Sequence, residues 1–232
     1  MNRQALAHML RLSALTATLC SASVAQAELL FSLELDTSSL IGHIASPFFI
    51  EFQLNDGSGA GDGNNTALLS NFAFGGGTAL GSATLDGGAS GDLDSHVVLA
   101  EDQFFNSFVQ EFVPGTLLSF DVELSTVVDL GPQPDQFSFA ILDCSGVEIP
   151  TMSPADALLA IDIDSPHPII STYAGDASRS PACGGPPLPL DKPKVVPLPA
   201  AALLLVLALS GLGACTRRGA PRANLPGLKE PG

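Results

Sequence analysis

The chain reads as an all-β protein, an antiparallel β-sandwich of jelly-roll type, with an N-terminal signal peptide and a single C-terminal transmembrane helix. Three observations carry this reading. Short stretches alternate apolar with polar residues, the period-two pattern of a half-buried strand. Glycine-rich turns separate those stretches at frequent intervals. The longest uncharged apolar runs lie near the two ends of the 232-residue chain.

The alternation is clearest in three places. Leu29, Phe31, Leu33 and Leu35 stand against Leu30, Ser32, Glu34 and Asp36. Phe48, Ile50, Phe52 and Leu54 stand against Phe49, Glu51, Gln53 and Asn55, and Leu118, Phe120, Val122 and Leu124 against Ser119, Asp121 and Glu123. Shorter strands are expected over 68–74, 82–85, 96–99, 104–112, 137–141, 158–163 and 169–173, with turns at 56–63, 75–77, 87–91 and 131–134. Many short strands in a domain of this size suit two packed sheets. A helical turn is expected only over 152–159, where Ser153 is placed to cap and Pro154 to occupy the first helical position. From Pro181 the composition turns to proline and glycine, predicting a stiff linker over 181–195.

The ends read as addresses. Arg3 and Arg11 precede an apolar stretch, and Ala25-Gln26-Ala27 has the small-x-small form of a signal-peptidase site, predicting a leader over 1–27. Near the other end, residues 200–214 carry no charge and Ser210 as their one polar side chain. As a helix they span roughly 22 Å, short of the ~30 Å hydrocarbon core. Arg217, Arg218 and Arg222 follow, which by the positive-inside tendency leaves residues 219–232 on the cytoplasmic side. The sequence therefore predicts an exported domain over 28–180, held at the cell membrane by its tail.

Charge within the exported part is one-sided. Residues 28–191 hold 23 acidic side chains and one basic one, Arg179, a formal charge near −22 that the whole-chain value of −15 conceals. Such a surface repels nucleic acid. Cys144 and Cys183 are the two thiols left once Cys20 departs with the leader and Cys215 is assigned to the tail, and an even count in an oxidising compartment reads as a disulfide.

A search for chemistry is largely negative. His43, His96 and His167 are scattered without metal-ligand spacing. Asp94-Ser95-His96 contains the letters of a hydrolytic triad, but neighbours on a strand point to opposite faces. The acidic residues single out no dyad, so the chain is read as non-enzymatic. Asp56, Asp62 and Asn64, in a glycine-rich loop, offer the hard oxygen ligands that Ca²⁺ prefers, without the acidic residue that ends an EF-hand loop; no other cofactor is expected.

The tail, Val196-Pro197-Leu198-Pro199-Ala200 followed by the apolar span and Arg217-Arg218, resembles the PEP-CTERM sorting signal of bacterial exported proteins in its VPLPA form. Cys215 and the fourteen residues after the arginine pair depart from the usual pattern. The resemblance implies recognition by an exosortase, a membrane-embedded processing enzyme acting near Pro199. Residues 29–165 more loosely resemble a family of exported proteins bearing that signal, through Phe52-Gln53-Leu54-Asn55, Leu69-Ser70-Asn71-Phe72, Gly81-Ser82-Ala83-Thr84-Leu85 and Ser119-Phe120-Asp121-Val122. No catalytic activity comes with it. Two functions follow as expectations: a non-enzymatic envelope or extracellular-matrix protein, associated with extracellular polysaccharide, or a carbohydrate-binding module at the cell surface. The absence of Trp and the single Tyr, Tyr173, favour the first.

Overall fold

The structure is a computed structural model and describes residues 28–57, 63–127, 133–163 and 168–198. The leader with Ala25 and Ala27, the loop residue Asp62, and the tail with Pro199, Ala200, Arg217 and Arg218 lie outside those residues. No helix among the described residues is long and apolar enough to cross a membrane. The chain divides into one unit ending at Val196 and another beginning at Pro197, of which Pro197 and Leu198 are described.

The protein is all-β and its paired strands are antiparallel. In chain order they are β1 (Glu28–Asp36), β2 (Phe48–Asn55), β3 (Thr66–Ala73), β4 (Thr78–Ala79), β5 (Thr84–Asp86), β6 (Gly88–Gly91), β7 (His96–Ala100), β8 (Phe105–Val113), β9 (Leu117–Ser125), β10 (Gln136–Leu142), β11 (Leu159–Asp162), β12 (Ile169–Thr172) and β13 (Lys194–Pro197). One sheet runs β13-β1-β9-β3-β7-β6 and the other β12-β11-β10-β2-β8-β4, with β5 also on β8.

The pairings nest. β1 lies on β9 with Glu28 opposite Ser125, β2 on β8 with Phe48 opposite Phe112, and β3 on β7 with Thr66 opposite Ala100. The segment 28–125 is thus one long hairpin folded back on itself, its successive pairs falling alternately in the two sheets. β3 also lies on β9, and β10 on β2, with Gln136 opposite Asn55.

Alternation explains the packing. Phe31, Leu33 and Leu35 from β1, Ile50, Phe52 and Leu54 from β2, and Phe120, Val122 and Leu124 from β9 are all buried in one apolar cluster. Phe52 is its centre, with ring centroids 5.2 Å from Phe120 of the other sheet and 5.5 Å and 6.0 Å from Phe139 and Phe108 of its own. Both sheets therefore contribute to a single core. The polar partners in each strand point outward, and it is that outer face of β2 and β10 that carries the candidate site.

Three expectations need correcting. Residues 88–91 form β6 rather than a turn; a side chain at Gly88 or Gly91 would strike the backbone oxygen of Ala100 or His96 at 2.3 Å and 2.0 Å, so the glycines let this strand lie close against β7. The helical turn expected over 152–159 is absent: Asp156 adopts φ 52°, and its Oδ1 accepts a hydrogen bond from the N–H of Thr151 at 2.9 Å, closing a tight turn. The proline-rich stretch read as a linker is docked instead. Leu188 and Leu190 are buried in the core cluster, the N–H of Gly175 donates to the oxygen of Leu190 at 2.9 Å, and β13 pairs with β1. Proline sets an extended backbone, but two leucines at alternate positions give it an apolar side to bury.

Candidate functional site

The outer face of the second sheet holds a groove of about 370 Å³. Its floor follows from strand alternation: because Ile50, Phe52 and Leu54 point into the core, Glu51, Gln53 and Asn55 point out. Register sets them opposite Ala140, Ser138 and Gln136 of β10, and Ser138 in turn lies opposite Ala160 of β11. Three small side chains side by side keep the floor low. Glu148 lines the groove from the 143–149 turn, Ser153, Pro154 and Ala155 from the next turn, and Tyr173 from the end of β12.

The groove is rich in acceptors. Glu51 is buried, and its Oε2 has no hydrogen-bond partner; the same holds for Oδ1 of Asn55. Burial, reinforced by the charge of Glu148, raises the Glu51 carboxyl above the ordinary carboxylate range, against an opposing hydrogen bond from Gln53. Gln136 donates from Nε2 to Asp162 at 2.9 Å, which fixes its orientation. Among the described residues no basic side chain lines the groove. It is built to receive hydrogen-bond donors, and it disfavours an anion.

A second polar cluster lies where β2 and β10 meet the loops. Asp56, Glu101 and Asp135 are 2%, 0% and 1% exposed, and Asn65 is fully buried beside them. Asn65 donates from its backbone N–H to Oε2 of Glu101 at 2.9 Å and from Nδ2 to Oδ2 of Asp135 at 2.8 Å; the N–H of Gly57 donates to Oδ1 of Asp135 at 2.9 Å. Burial and the charge of Asp135 push Glu101 up to about 8. Asp56, expected as a ligand on a flexible loop, is instead buried at the end of its strand, and Asn64 is described with it while Asp62 is not. Among the described residues no three His, Cys, Asp or Glu side chains stand together as a metal-binding group.

Cys144 and Cys183 are joined as expected, with Cα atoms 5.7 Å apart, within disulfide range. Of the sorting residues, Val196 and Pro197 lie in β13 and Leu198 just beyond it. Of Asp94-Ser95-His96, Ser95 donates from Oγ to Asp92 at 2.9 Å, within a turn, and His96 opens β7. The groove itself escaped the sequence because Glu148 and Tyr173 join it from segments distant in sequence. The outward row of Glu51, Gln53 and Asn55 was visible as a polar face, without any sign of what stands opposite it.

No family model, no curated protein and no solved structure matches the chain.

Proposed function

We propose that the chain is an exported, non-catalytic cell-surface protein whose β-sandwich binds neutral carbohydrate in the groove of its second sheet. The nested strand pairing supports a jelly-roll arrangement of that sandwich. The observation that carries the binding reading is the row of Glu51, Gln53 and Asn55 facing the small residues of β10, with two acceptor oxygens lacking donors and Tyr173 at the margin. A sugar supplies hydroxyl donors for the acceptors and an apolar ring face for the aromatic wall. The shortage of aromatic residues counts against sugar binding in the composition, but the one Tyr in the chain lines the groove. Two carboxylates with no lysine or arginine select against acidic sugars. A glycan array probed with the full chain in mild detergent tests this: retention of neutral glycans is expected, and a blank array overturns it.

Delivery rests on the two ends. The reading has signal peptidase cutting after Ala27 and an exosortase acting near Pro199, after which the protein stays in the envelope or enters the extracellular polysaccharide. Val196-Pro197-Leu198-Pro199-Ala200 and Arg217-Arg218 support it. Replacing Pro197 and Pro199 by alanine in the native host should leave a full-length, membrane-held precursor. Processing like that of the wild type overturns the sorting proposal and leaves a permanent anchor.

A further inference from the structure

We propose that the binding site extends from the groove across the second sheet to an aromatic subsite at Phe104 and Phe105, so that its ligand is an extended neutral glycan and not a single sugar. This rests on the carbohydrate reading of the groove and adds the size class of the ligand. Register puts the two regions on one face. Asp86 of β5 lies opposite Ser107 of β8, and Ser107 opposite Gln53 of β2. Gln53 lies opposite Ser138 of β10, and Ser138 opposite Ala160 of β11. Directly opposed residues of antiparallel strands share a face, so one row joins the groove floor to Asp86. Ser107, between them, is a small side chain. In the adjacent row Phe105 stands opposite Asn55, whose Oδ1 has no hydrogen-bond partner.

Phe104 and Phe105 are 59% and 39% exposed, and with Asp86, Gly87 and Gln103 they line a second depression of about 450 Å³. Two neighbouring rings left in water are unfavourable, yet the fold fixes them there. Asn106, fully buried, is the clamp. Its Nδ2 donates to the carbonyl oxygens of Leu54 at 3.0 Å and Gln103 at 2.7 Å. Its Oδ1 accepts from the N–H groups of Gly88 at 2.8 Å and Gln103 at 3.2 Å. Gly87 adopts φ 60°, and a side chain there would meet Oδ1 of Asn106 at 2.4 Å, so the turn carrying Asp86 is pressed against this corner. A fixed ring can stack on the apolar face of a sugar, while Asp86 and Gln103 offer polar groups to its hydroxyls. Among the described residues no basic side chain lines this depression either, so it favours the same neutral class. From Tyr173 at the end of β12 to Phe105 on β8 is four strand spacings, roughly 19 Å. A single sugar ring does not bridge that distance, and an oligosaccharide does.

The test is titration calorimetry on the full chain in mild detergent, with cello- and laminari-oligosaccharides from disaccharide to hexasaccharide as probes. In at least one series, affinity should rise by about tenfold or more from the shortest member to the longest. Phe104→Ala and Phe105→Ala should each remove most of that gain and leave the disaccharide affinity unchanged, whereas Tyr173→Ala should weaken every length. Both phenylalanines lie outside the core cluster, and the retained disaccharide affinity shows that each variant is folded. Equal affinity at every length, or long oligosaccharides that bind both phenylalanine variants like the wild type, overturns the extension and leaves the groove reading standing. A dimer lost in both variants by sedimentation, with oligosaccharide affinity unchanged, overturns it in favour of self-association through the rings. No heat from either series overturns the extension, and a blank glycan array alongside overturns the groove reading with it.

Discussion

The backbone N–H of Cys183 donates to Oδ2 of Asp143 at 2.6 Å, next to the bond that joins Cys183 to Cys144. The other oxygen of Asp143 accepts from the N–H of Ser145 at 2.8 Å and shapes the turn from which Glu148 reaches the groove. One buried carboxylate thus ties that turn to the segment carrying Leu188, Leu190 and β13. The same segment would otherwise leave the domain as a proline-rich strand.

Cutting the covalent tie should loosen this corner. The disulfide closes a separation of 39 residues; in the chain-entropy model a loop of this size contributes roughly 3–4 kcal/mol. Cys144→Ser is therefore expected to lower the free energy of unfolding by about that much. In the unreduced protein, peptide mapping after thiol labelling should find Cys144 and Cys183 unlabelled; labelling of both contradicts the bond.

Phe52 is the core position with most to lose. It meets rings from both sheets and is fully buried. Phe52→Ala should cost about 3–5 kcal/mol, and Phe52→Leu clearly less because it leaves a smaller cavity. Chemical denaturation monitored by far-UV circular dichroism gives both values. Equal costs for the two substitutions contradict the packing described.

Glu51 predicts a direction for stability against pH. Burial raises its carboxyl above the unfolded value of about 4.5, so in that interval the folded protein holds a proton that the unfolded chain releases. Its stabilising share is complete below about 4.5 and is lost as pH rises through the raised folded value. Glu101 acts with the same sign, so the variant Glu51→Gln is needed to isolate the first group. Glu51→Gln should lose less stability than the wild type as pH rises above about 4.5. An identical pH profile contradicts the shift.

What the sequence revealed, it revealed through local pattern. β1, β2 and β9 were legible because alternate positions such as Leu33, Phe52 and Phe120 must be apolar where only one face is buried. β6 was hidden because Gly88 and Gly91 signal a turn on their own, and only the nearness of β7 makes them strand residues. β13 was hidden for a similar reason, since Leu188 and Leu190 are too few to outweigh six nearby prolines without knowledge of the core they enter. The buried polar cluster was harder still. Asp56 stood out by its loop, yet Glu101 and Asp135 reach it through contacts distant in sequence, which no local motif encodes.

The central claim is that the groove binds neutral carbohydrate, and titration calorimetry on the purified full chain tests it most directly. A neutral oligosaccharide retained on the array should bind the wild type, and Tyr173→Ala and Gln53→Ala should each weaken that binding by about tenfold or more, roughly 1.4 kcal/mol. Their melting temperatures should stay close to that of the wild type, since both side chains lie outside the core cluster. Unchanged affinity in both variants, or no heat of binding from any neutral oligosaccharide tried, contradicts the account.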